Sequence, residues 1–124
     1  MSTPSLYDQL GGTEAINAAV DLFYSKILDD QRVNHFFNDV DMKVQRAKQK
    51  GFLKVAFGGP HHYTGKNMRD AHHHLLARGL NDTHFDIIKE HLQSTLQDLN
   101  VNPHLIQQVS AIAESVRSDV LGRA

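Results

Sequence analysis

The 124-residue sequence contains no cysteine. Disulfides, thiol catalysis and zinc-thiolate sites are therefore excluded. It also lacks a surplus of either charge: 13 Lys and Arg against 14 Asp and Glu leave a net charge of −1 with histidine neutral. That gives no electrostatic footprint for nucleic acid and none for an anionic membrane. No apolar run approaches the roughly 20 residues that span a bilayer. The opening MSTPSLYDQL has no basic region followed by an apolar stretch, so no signal peptide is expected, and a cytoplasmic protein is. Strand patterns are scarce, since no segment alternates apolar and polar residues over a cluster of β-branched ones. Repeats, low-complexity tracts and linkers are missing as well. At 40% hydrophobic and 22% charged residues, the chain should fold, and its length suits one domain over 1–124.

What is present is helical periodicity. After Gly11-Gly12, the residues Ile16, Val20, Phe23, Tyr24 and Ile27 recur at helix spacing, predicting a helix from about Thr13 to Leu28. A short helix over Ser5 to Leu10 precedes it, and RVNHFFNDVD reads as a turn-rich connection. Asp41 can cap a helix carrying Met42, Gln45, Gln49, Phe52, Leu53 and Ala56 on one face and ending at Gly58-Gly59-Pro60. A glycine-rich loop, GGPHHYTGKN, follows it. A short helix bearing His72, His73 and His74 then stops at Gly79. Asp82 or Thr83 should cap the next helix, with Phe85, Ile88, Leu92, Leu96 and Leu99 on its apolar face. Asn102-Pro103 opens a last helix carrying Leu105, Ile106, Val109, Ile112, Val116 and Val120. The expectation is a single all-α domain with a loop-rich middle.

The other abundance is histidine, nine in all. Helix geometry separates the three consecutive ones. At about 100° per residue, Met68, His72 and Leu75 share one stripe, while His73 and His74 turn away from it by roughly 100° and 160°. An imidazole on an apolar stripe faces inward and must satisfy its nitrogens. It is either a core histidine bonded to a carbonyl or a ligand. Gln45 and Gln49 stand one turn apart on an otherwise apolar face, and Tyr24 brings a hydroxyl onto another. One imidazole, one phenol and two amides suit a pocket holding a polar ligand on a metal cofactor. The alternative is a scatter of satisfied polar groups in a plain core. A zinc site built from the adjacent histidines, or from His61 and His62, is disfavoured because neighbours on a helix diverge while tetrahedral ligands converge.

These residues resemble the group I truncated haemoglobins, short globins folded as two helices over two around a haem. LYDQLGG at 6–12, FYSKILDD at 23–30, HFFNDVDM at 35–42, QRAKQKGFLKVAFGGP at 45–60 and YTGKNMRDAHHHL at 63–75 are similar to successive segments of that family. Together they span nearly the whole chain.

The resemblance implies one haem b per chain, with His72 as the proximal iron ligand through its epsilon nitrogen. It implies Tyr24, Gln45 and Gln49 around the ligand, and Phe37, Phe52, Tyr63, Met68 and Phe85 against the macrocycle. It implies reversible dioxygen binding, with nitric oxide and carbon monoxide as further ligands. A nitric oxide dioxygenase activity needing an external reductase is one extension. A six-coordinate haem protein transferring electrons is the alternative. Lys48 stands where some relatives have a ligating histidine, at the edge of the inward stripe. It either reaches water or a haem propionate, or binds iron as a sixth ligand. The stretch ESVRSDVL has no histidine where some relatives attach haem covalently.

Overall fold

The chain, described by a computed structural model over residues 5–58 and 72–122 except for the side chains of Phe52, Val55 and Ala56, has helices as the sole regular elements among those residues. Helix α1 spans Leu6–Gln9 and α2 spans Gly12–Leu28. A 3₁₀ turn at Asn34–Phe37 leads to α3, Met42–Ala56. The described part of α4 is residues 72–76, followed by a turn through Gly79. Then come α5 (Asp82–Asp98), α6 (Pro103–Ser115) and α7 (Arg117–Val120).

Local chemistry places the helix starts. Ser5 Oγ accepts from Asp8 N, Asp41 Oδ1 accepts from Lys43 N at 3.0 Å, and Asn102 Oδ1 accepts from His104 N ahead of Pro103. Each satisfies a backbone donor that a helix start leaves orphaned. Gly11 joins α1 to α2 at φ +112°, and a Cβ there would stand 2.9 Å from Ala15 Cβ. A side chain is thus excluded twice over, by conformation and by contact. The α5 cap differs from expectation. Asn81, not Asp82 or Thr83, is the N-cap, and it forms a capping box with His84, whose Nδ1 accepts from Asn81 N. The last helix also differs, breaking at Val116 into α6 and α7.

The two pairs α2–α3 and α5–α6 are layered through contact between α2 and α5. The core sits between them: Ile16, Val20, Phe23 and Ile27 from α2, Leu53 from α3, Ile87, Leu92 and Leu96 from α5, and Ile106 and Val109 from α6. Burying each such side chain is worth about 1.5–3 kcal/mol, which fixes the layers. Ile88 packs on the core as expected but only partly buried, Ile87 is buried beside it, and Leu99, one residue past the end of α5, is 40% exposed. Helix α4 is tied to both sides of this frame. Leu75 packs on the core, and Leu76 Cδ1 lies 2.7 Å from where a Cβ on Gly122 would stand.

Candidate functional site

The spacing of α2 that buries Val20, Phe23 and Ile27 buries Tyr24 with them, at 2% exposure. Its ring stands edge-on to Phe37, with centroids 5.8 Å apart, and tilted against Phe23 at 5.2 Å. The phenol would be stranded there without a partner. The partner is Gln45 on α3, whose Nε2 donates to Tyr24 Oη at 3.1 Å. Because the Tyr24 oxygen is the acceptor in that bond, its own O–H proton remains available, and it meets no second partner among the described residues. Burial pushes the Tyr24 hydroxyl up to about 12, against the smaller opposing effects of the Gln45 hydrogen bond and the Arg46 charge. The group is therefore a neutral donor across the physiological range.

Gln49 lies one turn beyond Gln45, half-buried, with no hydrogen-bond partner among the described residues. Tyr24 thus meets both Gln45 and Phe37, and Gln49 stands one turn from Gln45 on α3. Lys48 is exposed on the outer side of α3. On α4, His72 is half-buried whereas His73 and His74 are exposed, the division that the stripe argument expects. Phe85 is half-buried near the start of α5, with the Arg117 guanidinium carbon 4.4 Å from its ring centroid. Tyr63, Met68 and the ring of Phe52 lie outside the described residues.

Two participants escape sequence reasoning. Arg46 lies close enough to favour the ionised phenol electrostatically, and its Nε is buried without a hydrogen bond, 3.9 Å from Asp21. Helical spacing puts Arg46 near Gln45 but gives no hint of which neighbour its charge meets. Arg117 ties α7 to α5 and α6 through Asp82, Asp86 and Glu114 while covering Phe85. No local pattern pairs residues 31 and 35 positions apart.

The donor set limits what the site can hold. Among the described residues no group of three His, Asp or Glu side chains converges as a metal cage would require. What the site presents is one half-buried imidazole, a buried neutral phenol and carboxamides. A metal suits this set if it arrives with most of its coordination already filled by a macrocycle, needing a single protein nitrogen, as haem iron does. A polar diatomic ligand on its other side would then meet the phenol and amides. Residues present and cofactor fit each other.

Known proteins agree. Residues 5–121 match the family described as bacterial-like globin. The chain is 44% identical over 119 residues to the group 1 truncated haemoglobin of Tetrahymena pyriformis, covering 96% of each. It is 52% identical over 114 residues to that of Synechocystis sp., covering 91% of this chain and 90% of the other. Among solved structures it is similar to the 2/2 haemoglobin of Synechococcus sp. PCC 7002, crystallised in the cyanomet state with covalently attached haem. There the TM-score is 0.92 and the identity 48%, over 97% of this chain and 100% of that one.

Proposed function

We propose, since this chain belongs to the bacterial-like globin family and is a group 1 truncated haemoglobin, that it binds dioxygen reversibly at one haem b held by His72. The observation that carries this reading is the Tyr24 hydroxyl: buried, neutral, with its oxygen engaged by Gln45 and its proton unspent. When bound, haem supplies the iron that takes dioxygen, nitric oxide or carbon monoxide. The chain supplies the rest. His72, on the half-buried side of α4, would provide the single protein nitrogen that the iron needs. Tyr24 donates a hydrogen bond to the outer atom of a diatomic ligand, and Gln45 holds the phenol in the orientation that allows it. Gln49 offers a second amide one turn away. Phe37 and Phe85 would present apolar surface to the macrocycle, a role that the resemblance also assigns to Phe52, Tyr63 and Met68. The stretch ESVRSDVL carries no histidine where some relatives attach haem, so a covalent link of that kind is not expected here, whereas the Synechococcus protein was crystallised with covalently attached haem.

The same donor would favour oxidation of nitric oxide by the dioxygen-loaded protein to nitrate. That turnover consumes one electron and needs a reductase, and cytoplasmic residence suits it. The test is the optical spectrum of the purified protein in ferric, ferrous and air-exposed ferrous forms. A Soret band that shifts reversibly with dioxygen is expected, and a chain that takes up no haem refutes the reading. Mixing the oxygenated protein with nitric oxide in a stopped-flow cell then separates a carrier from a dioxygenase.

A further inference from the structure

The inner face of α3 forms the site, and its outer face has a different chemistry. Helix α3 carries Lys43, Arg46, Lys48, Lys50 and Lys54 and no acidic residue. The whole chain has 13 cations and 14 anions, so the remainder holds 8 against 14. A +5 helix therefore sits on a body of net −6. Arg46 and Lys50 turn toward Asp21, at 3.9 and 3.7 Å. Lys43, Lys48 and Lys54 pair with no carboxylate among the described residues. At about 100° per residue these three share one side of α3 with Val44, Ala47 and Gly51. Val44 is 47% exposed, and Lys43, Ala47 and Lys48 are exposed beside it. The result is a small apolar centre rimmed by unpaired lysines.

We infer that this outer face of α3 docks an acidic protein that delivers single electrons. The inference rests on the haem reading above, because only a redox centre behind α3 gives such a partner its purpose. The face lies one helix diameter, about 10 Å, from the amides that line the distal pocket. A positive patch steers an acidic partner to it, and a small flat apolar centre suits brief contact. Other occupants fit less well. Arg46, the one planar guanidinium of α3, is turned to Asp21 and away from any phosphate. No aromatic or leucine marks the face for insertion into lipid. In a second copy of this chain Asp98 is held by Lys26, Asp30 by Arg32 and His91, and Asp82, Asp86 and Glu114 by Arg117 and Lys89, and its exposed Asp8, Glu14, Asp29, Asp39, Asp41 and Glu90 are spread over α1, α2, the turn before α3 and α5.

The experiment compares the ferric holoprotein with its Lys43→Glu/Lys54→Glu form, leaving Lys48 intact. Each is mixed with photoreduced flavodoxin, an acidic carrier, and with photoreduced lumiflavin, a small neutral reductant. With flavodoxin the wild-type rate should fall as salt rises, and the variant should be about tenfold or more slower and nearly insensitive to salt. With lumiflavin the two should match. Amide shifts on flavodoxin titration should map to residues 43–54 in the wild type and vanish in the variant. Val44→Asp should also slow flavodoxin alone. Equal flavodoxin rates, shifts elsewhere, or a variant defect seen only in binding to phosphatidylserine vesicles or in self-association would overturn the inference. Absence of a Soret band would sink the haem reading separately, since the amide shifts report docking whether or not haem is bound.

Discussion

Replacing Tyr24 with Phe removes one oxygen from a site whose geometry fixes the consequence. Gln45 Nε2 stands 3.1 Å from that oxygen and donates to it, so the phenol proton is free for a ligand. Dioxygen polarised by ferrous iron is a partly charged acceptor. A charge-assisted hydrogen bond to it is worth roughly 1.5–3 kcal/mol. At 1.4 kcal/mol per factor of ten, loss of the donor should speed dioxygen release by about 10- to 150-fold. Carbon monoxide, a poor acceptor, should leave at nearly the wild-type rate. The assay is stopped-flow displacement of dioxygen by excess carbon monoxide. Gln45→Leu frees the phenol to reorient and should give a smaller change in the same direction. Unaltered dioxygen release in Tyr24→Phe, with Gln45→Leu and Gln49→Leu equally silent, would refute the donor assignment.

The same residue has a signature without ligand. Burial raises the Tyr24 hydroxyl from 10 to about 12. The folded state thus favours the neutral phenol more than the unfolded state does. The stability linked to this is complete below pH 10 and is lost as pH rises toward 12. Tyr24→Phe should abolish that part of the alkaline loss, read by urea unfolding from pH 9 to 11.5.

His72→Ala should lose haem on desalting while His73→Ala and His74→Ala keep wild-type spectra, because only His72 is turned inward. Equal loss from His73→Ala would contradict that facing. A pH titration of the ferric spectrum should be the same for wild type and Lys48→Ala if the exposed lysine stays in solvent. A neutral-to-alkaline low-spin transition present only in wild type would make Lys48 the sixth ligand, since only its deprotonated amine can bind iron. Gly122→Ala should lower stability by about 1–3 kcal/mol, because φ is +67° and the new Cβ would meet Leu76 Cδ1 at 2.7 Å. A urea midpoint equal to wild type would disprove that contact. Asp30→Asn should destabilise at pH 7 and progressively less below about pH 4. Arg32 foremost, with His91, holds the Asp30 carboxyl well below the usual range, so its contribution exists above that range and is lost on acidification. A constant difference from pH 7 to 3 would remove Asp30 from the acid response.

Helix existence was legible where local chemistry is sufficient. The α2 periodicity and the Asp41 and Asn102 caps each follow from residues within one turn. The α5 start was not, because the box at Asn81 closes with a histidine where glutamate or glutamine is the familiar partner. Its recognition requires seeing His84 Nδ1 accept from Asn81 N. The break at Val116 was hidden for the opposite reason. Ile112, Val116 and Val120 continue the apolar period straight through it, so the pattern gives no stop. The structure turns the chain there and aims Arg117 at carboxylates on α5, a pairing of residues far apart in sequence. Ile87 joins Ile88 on the core side because α5 packs against α2 as well as α6. Two contacts widen the buried stripe beyond the single face that a sequence period describes.

The α3 sequence places two amides on one face, and the structure sets Gln45 against Tyr24, leaves Gln49 half-buried a turn away and turns Lys43 and Lys48 to solvent. Which amide meets the phenol is a question of register between α2 and α3, and register is set by packing from elsewhere. Leu53 is held in the core, and Tyr7 N bonds to Phe57 O at 2.8 Å just beyond the C-terminal end of α3. With that end fixed, Gln45 lies opposite Tyr24 and Gln49 one turn, about 5.4 Å, along the axis. The direction of the Gln45–Tyr24 bond then decides the chemistry. A phenol that donated to a glutamine carbonyl would have nothing to offer a ligand. A phenol that accepts from the amide nitrogen keeps its proton, and Tyr24 is of the second kind.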